Sequence, residues 1–277
     1  LESILLTDSS IPLLSVIQMQ SDSQVSEKPA VIQFRNLQAR NISLAFPFID
    51  LNSIVYSNLL IKFSDTTFHA FSLYSFLLRS IMNGNVLFSN CSFTAVQGQI
   101  VLAYPNQAEL LSIPNSVSIE HSYFGNSVSS SDAILVARTN SRIVVTNSTF
   151  ESNKSPGRGS VAFADQKKSL ISFSECSFEG NYAHQGGVAF AHQDSQVAFS
   201  HCSINNNLAL QGGVAYINDE GFVRISESSL HKNFALEGMS LYLINSREQS
   251  LLNNTNFTNF EAIDLDLLLS TTSPDFQ

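Results

Sequence analysis

The chain has no tryptophan, three cysteines in 277 residues, and few charges, with Asp, Glu, Lys and Arg making up 13% of it. Each scarcity excludes something. Cys91, Cys176 and Cys202 are too few for a disulfide framework, and none stands in a CxxC or Cys/His spacing that would hold zinc. The 14 Lys and Arg against 23 Asp and Glu give a net charge of −9 and form no basic run. That argues against nucleic acid and against anionic lipid as partners. No run of about 18 apolar residues occurs, so no membrane span is expected. The C-terminal IDLDLLLS is too short and carries Asp264 and Asp266. The chain opens on LESILL with neither an initiator Met nor a signal peptide, and so reads as a piece of a larger protein.

What is present is Phe, 21 of them, in a chain that is 44% hydrophobic. Phe, β-branched residues and polar Ser and Asn suit strands and turns more than helices. The apolar residues recur. Phe68, Phe93, Phe124, Phe150, Phe178, Ile204, Leu230 and Phe257 follow one another at 25, 31, 26, 28, 26, 26 and 27 residues. Five positions before each stands an apolar residue, Phe63 to Leu252. Seven before, a β-branched residue stands in all but the last copy, Ile61 to Val223. That is period-two alternation, a strand with one buried face. Three before comes a polar column, Asp65, Asn90, His121, Asn147, Glu175, His201, Glu227 and Asn254, expected at a solvated turn. Two before comes a small column, Thr66, Cys91, Ser122, Ser148, Cys176, Cys202, Ser228 and Thr255, expected at a tight corner.

A period near 26 with several short strands per repeat predicts an all-β fold. We expect a right-handed parallel β-helix of about nine coils over residues 31–277, stacked at about 4.8 Å. Residues 1–30 are expected to form an irregular segment or cap. A propeller needs longer repeats, a leucine-rich repeat a different frame, and a sandwich no fixed period. In the stack, Phe150 and Phe178 point inward as anchors. Asn153, Asn181, Asn207 and Asn233 form an amide ladder at a turn, where Asn also tolerates a left-handed backbone. Gly186–Gly187 and Gly212–Gly213 mark a corner where a Cβ would clash or φ is positive.

The motifs FESN (150–153), FEGN (178–181) and GGVA (186–189 and 212–215) resemble the FxxN and GGA(I/L/V) repeats of polymorphic outer-membrane proteins. Those are right-handed parallel β-helix proteins related in fold to pectin lyases. The resemblance is strict over Thr146–Leu243 and looser over Val31–Phe260. INNN and LHKN keep the Asn but lose the Phe, and Glu237–Gly238–Met239 loses the double Gly. The resemblance implies a cell-surface adhesin.

Candidate chemistry is sparse. Carbohydrate-active β-helices cluster carboxylates on one outer face, whereas here the acids are scattered and Asp264 and Asp266 lack partners. No catalytic, metal or cofactor constellation emerges. Glu175, His201 and Glu227 would stack as an acid–imidazole–acid ladder, either a pH-sensitive contact or weak metal site, or, as favoured, plain exposed turn residues. Cys176 and Cys202 would be neighbours. A disulfide between coils is conceivable, but Ser and Thr share their column, which favours free thiols. N-x-Ser/Thr sequons stand at Asn41, Asn90, Asn147, Asn253 and Asn256, and at Asn153, where the inner ladder makes glycosylation least credible. The insertion Tyr104–Asn115 is a contact loop or simply a solvated one.

The function expected is a non-catalytic, extracellular, structural or adhesive module of a larger surface protein. Its partners would be a protein or glycan at a cell surface, or further segments of the same chain. The alternatives are a carbohydrate-binding or carbohydrate-cleaving β-helix, and a subunit of a filament or large complex stacking through its coil edges.

Overall fold

A computed structural model describes residues 5–7, 10–11, 17–20, 30–44, 47, 49–53, 59–80, 85–104, 115–246 and 251–258. All regular elements among them are strands, and every pairing between strands is parallel. The chain is a parallel β-solenoid with a repeat of about 26 residues.

One coil shows the plan. Leu170–Ser174, Ser177–Glu179, Tyr182–Gln185 and Ala189–His192 are its first, second, third and fourth strands. Each pairs with the strand one repeat later, so Phe173 faces Phe199, Phe178 faces Ile204, Ala183 faces Ala209 and Phe190 faces Tyr216. The first strands form a nine-stranded sheet from Ala30–Arg35 to Leu251–Asn253. Seven of them, from Asn85–Ser89 onward, belong to the regular stack, so there are about seven turns rather than nine. Upstream, the first corner persists at Asn36 and Asp65, but the later strands of the coil run together in one 14-residue strand, Thr67–Ser80. Within residues 1–30, Leu5–Thr7, Ser10–Ile11 and Ile17–Gln20 are also strands, paired in parallel with later ones.

The alternating columns pack as their periodicity requires. Ile171, Phe173, Val197, Phe199, Val223 and Ile225 are buried, while the residues between them are only partly buried or exposed. Leu252, in the last described coil, is half-exposed. The second-strand anchors form a continuous stack. Phe68, Phe93, Phe124, Phe150 and Phe178 follow at centroid spacings of 5.2, 4.7, 4.8 and 5.1 Å with nearly parallel rings. Phe173 meets Phe178 edge-on at 5.0 Å and ties the first strand to the second. Each such ring contributes roughly 2–3 kcal/mol by burial, and its stacking adds about 1 kcal/mol.

Candidate functional site

The corners are the most constrained part of each coil. Asn36, Asp65, Asn90, His121, Asn147, Glu175, His201, Glu227 and Asn254 all adopt positive φ, between 46° and 55°. They are exposed, and each turns the chain from first strand to second. From Asp65 on, the residue that follows is small, buried in all but the last coil, and acts as a pin. The hydroxyls of Thr66, Ser122, Ser148, Ser228 and Thr255 donate to the carbonyl two residues earlier, at 2.7–3.2 Å. The thiols of Cys91, Cys176 and Cys202 do the same at 3.4, 3.2 and 3.3 Å. The pin also receives an N–H from the coil before, as Ser228 does from Cys202 at 3.0 Å. A small side chain that can both donate and accept is needed here, and Cys meets that need as Ser does.

At the second corner Ser152, Gly180, Asn206 and Lys232 take positive φ. The residues after them, Asn153, Asn181, Asn207 and Asn233, are almost wholly buried. Contrary to the expectation from sequence, the ladder asparagines are not the left-handed residues; their predecessors are. A left-handed residue must point outward at the bend, which turns its successor into the core. There Asn153, Asn181, Asn207 and Asn233 donate from Nδ2 to the carbonyls of Phe124, Phe150, Phe178 and Ile204 at 2.7–3.3 Å.

The double glycine at the third corner solves two problems. Gly186 has φ of 69°, and Gly187 lies where a Cβ would fall on the carbonyl oxygen of Gly213. Gly212 and Gly213 repeat the arrangement, with Met239 supplying the carbonyl beneath Gly213.

Two outer surfaces of the stack carry side chains beyond what folding needs. The fourth strand alternates Ala–Phe–Ala, with Ala162, Ala164, Ala189 and Ala191 in the core. Phe163, Phe190, Tyr216 and Tyr242 face the other way and form their own cluster; Phe163 meets Phe190 edge-on at 5.5 Å, and Phe190, Tyr216 and Tyr242 stack at 5.0 and 5.2 Å. Arg158 lies over Phe163 at 4.4 Å and binds Asp132 at 2.9 Å. Burial, with the negative charges of nearby groups, pushes the Tyr216 phenol up. Beside these rings runs a charged ladder. Arg138 reaches Asp165 at 3.7 Å, and His192 bridges Asp165 at 3.1 Å and Asp219 at 2.9 Å. Past it lies an open groove of about 800 Å³ lined by Gln166, Gln193, Asp194, Asp219 and Glu220 among others. Phe190, Tyr216 and Tyr242 recur at 26 residues in the sequence, with Phe163 27 before, but that recurrence does not give their outward direction. The charged ladder was missed altogether, although Arg138, Asp165 and His192 share a register.

The third strands form the other surface. Ala183, Ala209 and Ala235 point inward, while Leu208, Leu210, Phe234 and Leu236 point out, exposed at 43, 44, 43 and 73%. Gln185, Gln211 and Glu237 edge this strip, joined side chain to side chain at 3.0 and 2.7 Å.

The remaining candidates fall as follows. His201 pairs with Glu227 at 2.7 Å on the exposed corner, and its other nitrogen meets Ser200. Asn90 and Asn147 are exposed first-corner residues with positive φ, Asn41 is exposed with positive φ within the strand Gln38–Leu44, and Asn253 and Asn256 are exposed. Asp264, Asp266 and most of the Tyr104–Asn115 insertion lie outside the described residues. The three thiols are free and buried. Among the described residues, no group of three or more His, Cys, Asp or Glu side chains is placed to hold a metal ion. No helix there is long and apolar enough to cross a membrane.

Parallel coils with stacked rings, buried amide ladders and left-handed corners define a β-solenoid built from repeats. The chain belongs to the right-handed β-helix region family, whose model matches residues 77–257. No curated protein and no solved structure matches the chain.

Proposed function

We propose that the chain is a non-catalytic structural and adhesive module of a larger extracellular protein, akin to polymorphic outer-membrane proteins. In this reading the solenoid is a stiff rod, and one flank grips a protein or glycan at a cell surface. The observation that carries it is the third-strand strip of Leu208, Leu210, Phe234 and Leu236. Four large apolar side chains side by side on a parallel sheet are unusual on a free surface and typical of a contact face. The rigid stack beneath fixes their spacing, so binding costs little ordering.

The test uses beads coated with the chain and with a Leu210→Asp/Leu236→Asp variant, both checked for fold by circular dichroism. Retention on cells, or on surfaces bearing extracellular glycans, is expected for the first and at least tenfold weaker for the second. Equal retention, or none for either, would overturn the reading. Release of reducing ends from a polysaccharide would favour a carbohydrate-cleaving module, and concentration-dependent fibres would favour stacking through coil edges. An extracellular site also invites glycans on the exposed Asn41, Asn90 and Asn147. A mass shift on glycosidase treatment of the native protein reads this out.

A further inference from the structure

Cys176 and Cys202 occupy the same pin position on successive coils. The pairs on either side, Ser174 with Ser200 and Ser177 with Ser203, are in register. The Ser203 N–H donates to the Cys176 carbonyl at 2.9 Å, which locks the two corners one rung apart. That rung, about 4.8 Å, lies inside the Cα separation a disulfide spans. Both side chains are 3% exposed, and each thiol donates to the equivalent carbonyl of its own coil, Ser174 and Ser200. Cys91, by contrast, has Thr66 and Ser122 as its column neighbours.

We propose that Cys176 and Cys202 form a reversible redox staple, closing an inter-coil disulfide when the protein meets a small-molecule disulfide oxidant. In the first exchange the Cys202 thiolate attacks the oxidant's S–S bond. A Cys202 mixed disulfide forms and one reduced thiol leaves. Cys176 then attacks the Cys202 sulfur, the second reduced thiol departs, and it takes the Cys176 proton. The two protein sulfurs lose two electrons, and the oxidant's two sulfurs gain them. The order follows from the pair's asymmetry. The contact with Cys176 lowers the pKa of Cys202 and so favours its thiolate, while the same contact and burial raise the pKa of Cys176, which keeps its proton longer. Access needs only local opening of the corner, since the residues just outside, Glu175 and His201, are exposed.

The staple spans one repeat of 26 residues and would add a covalent link between two coils otherwise held by strand pairing, ring stacking and the amide ladder. In the test, the full chain is incubated with oxidised glutathione at a urea concentration below its unfolding transition, then mapped by mass spectrometry without reduction. The expected result is a loss of about 2 Da, located in a Cys176–Cys202 cross-linked peptide, with Cys91 free and full reversal by dithiothreitol. Cys202→Ser and Cys176→Ser should each abolish the cross-link. Both should fold, because Ser148 and Ser228 already serve as pins on neighbouring coils. Three thiols still free after treatment, glutathione retained on Cys176 or Cys202 without a cross-link, or a cross-link that involves Cys91 would each overturn the proposal.

Discussion

Asn181 donates from Nδ2 to Oδ1 of Asn207, 26 residues on, at 2.9 Å, and the Asn181 backbone N–H donates to the same oxygen at 2.9 Å. Asn153 stands in the same relation to Asn181, and Asn207 to Asn233. Each amide thus satisfies a carbonyl one coil back, a backbone N–H one coil back and a neighbouring amide, all away from water. Removing one member strands several buried groups at once. Asn181→Ala should cost about 3–5 kcal/mol, the sum of unsatisfied partners and a small cavity. Urea denaturation measures it. Asn205→Ala, on the partly exposed second strand of the next coil, should fall within roughly 0.5 kcal/mol of wild type.

The two kinds of glycine should separate in the same assay. Gly180 has φ of 63° but open space, with Ser152 Oγ at 3.6 Å as its nearest neighbour. Ala there pays only backbone strain, about 1 kcal/mol. At Gly187 a Cβ falls on the Gly213 backbone of the next coil, and backbone cannot step aside as a flexible side chain can. Gly187→Ala should cost about 3 kcal/mol or more, or yield no soluble folded protein. Equal effects at the two positions would contradict this account of the corner.

At the first corner, Glu175 holds φ of 55° with a long side chain. Asn stands in the equivalent place at Asn36, Asn90, Asn147 and Asn254. Glu175→Asn should therefore raise stability by about 0.5–1 kcal/mol, because the left-handed conformation suits Asn better. A change in the thermal midpoint in the opposite direction would sink the argument.

Much of this architecture was legible from columns. Phe150 and Phe178 read as inward anchors because identical residues at a fixed period must stack, and the polar residues three before them had to face water. The sequence could not say which residue bends. Left-handed geometry belongs to the residue before each ladder asparagine, where Ser152, Gly180, Asn206 and Lys232 share no chemistry. The function of the small column was half visible, as size without its hydrogen bonds. The outer surfaces were hardest. Phe190 and Tyr216 are as apolar and as periodic as core rings, so periodicity alone cannot tell a second cluster outside the wall from the first one inside it. Arg158 and Asp132 come from different coils, and the positions in register with Arg158 are Gln185, Gln211 and Glu237, which carry no positive charge.

That outer cluster predicts its own weak point. Arg158 covers Phe163 and satisfies Asp132, which is 7% exposed. Arg158→Ala uncovers the ring and leaves a nearly buried carboxylate with only the more distant Arg138, at 3.9 Å. A loss of about 1–3 kcal/mol is expected. Arg158→Lys should recover part of it, through charge without the planar stack. Full recovery by Lys would mean that the guanidinium face contributes nothing.

Cys91 should make stability fall in alkali. Burial, the largest influence, raises its thiol from 9.0 to about 11. The fold therefore holds that proton more tightly than the unfolded chain does. The resulting stabilisation is complete below about pH 9 and is lost as pH rises through about 11, where the folded thiol ionises too. Two pH units correspond to roughly 2–3 kcal/mol. Cys91→Ser keeps the corner pin, as Ser122 and Ser148 do one and two coils on, but has nothing to titrate. Denaturant midpoints of the two proteins, measured from pH 7 to 11, should run parallel up to about pH 9 and then draw apart, wild type falling more steeply. The same burial should leave Cys91 unmodified by iodoacetamide at pH 8 until the chain is unfolded.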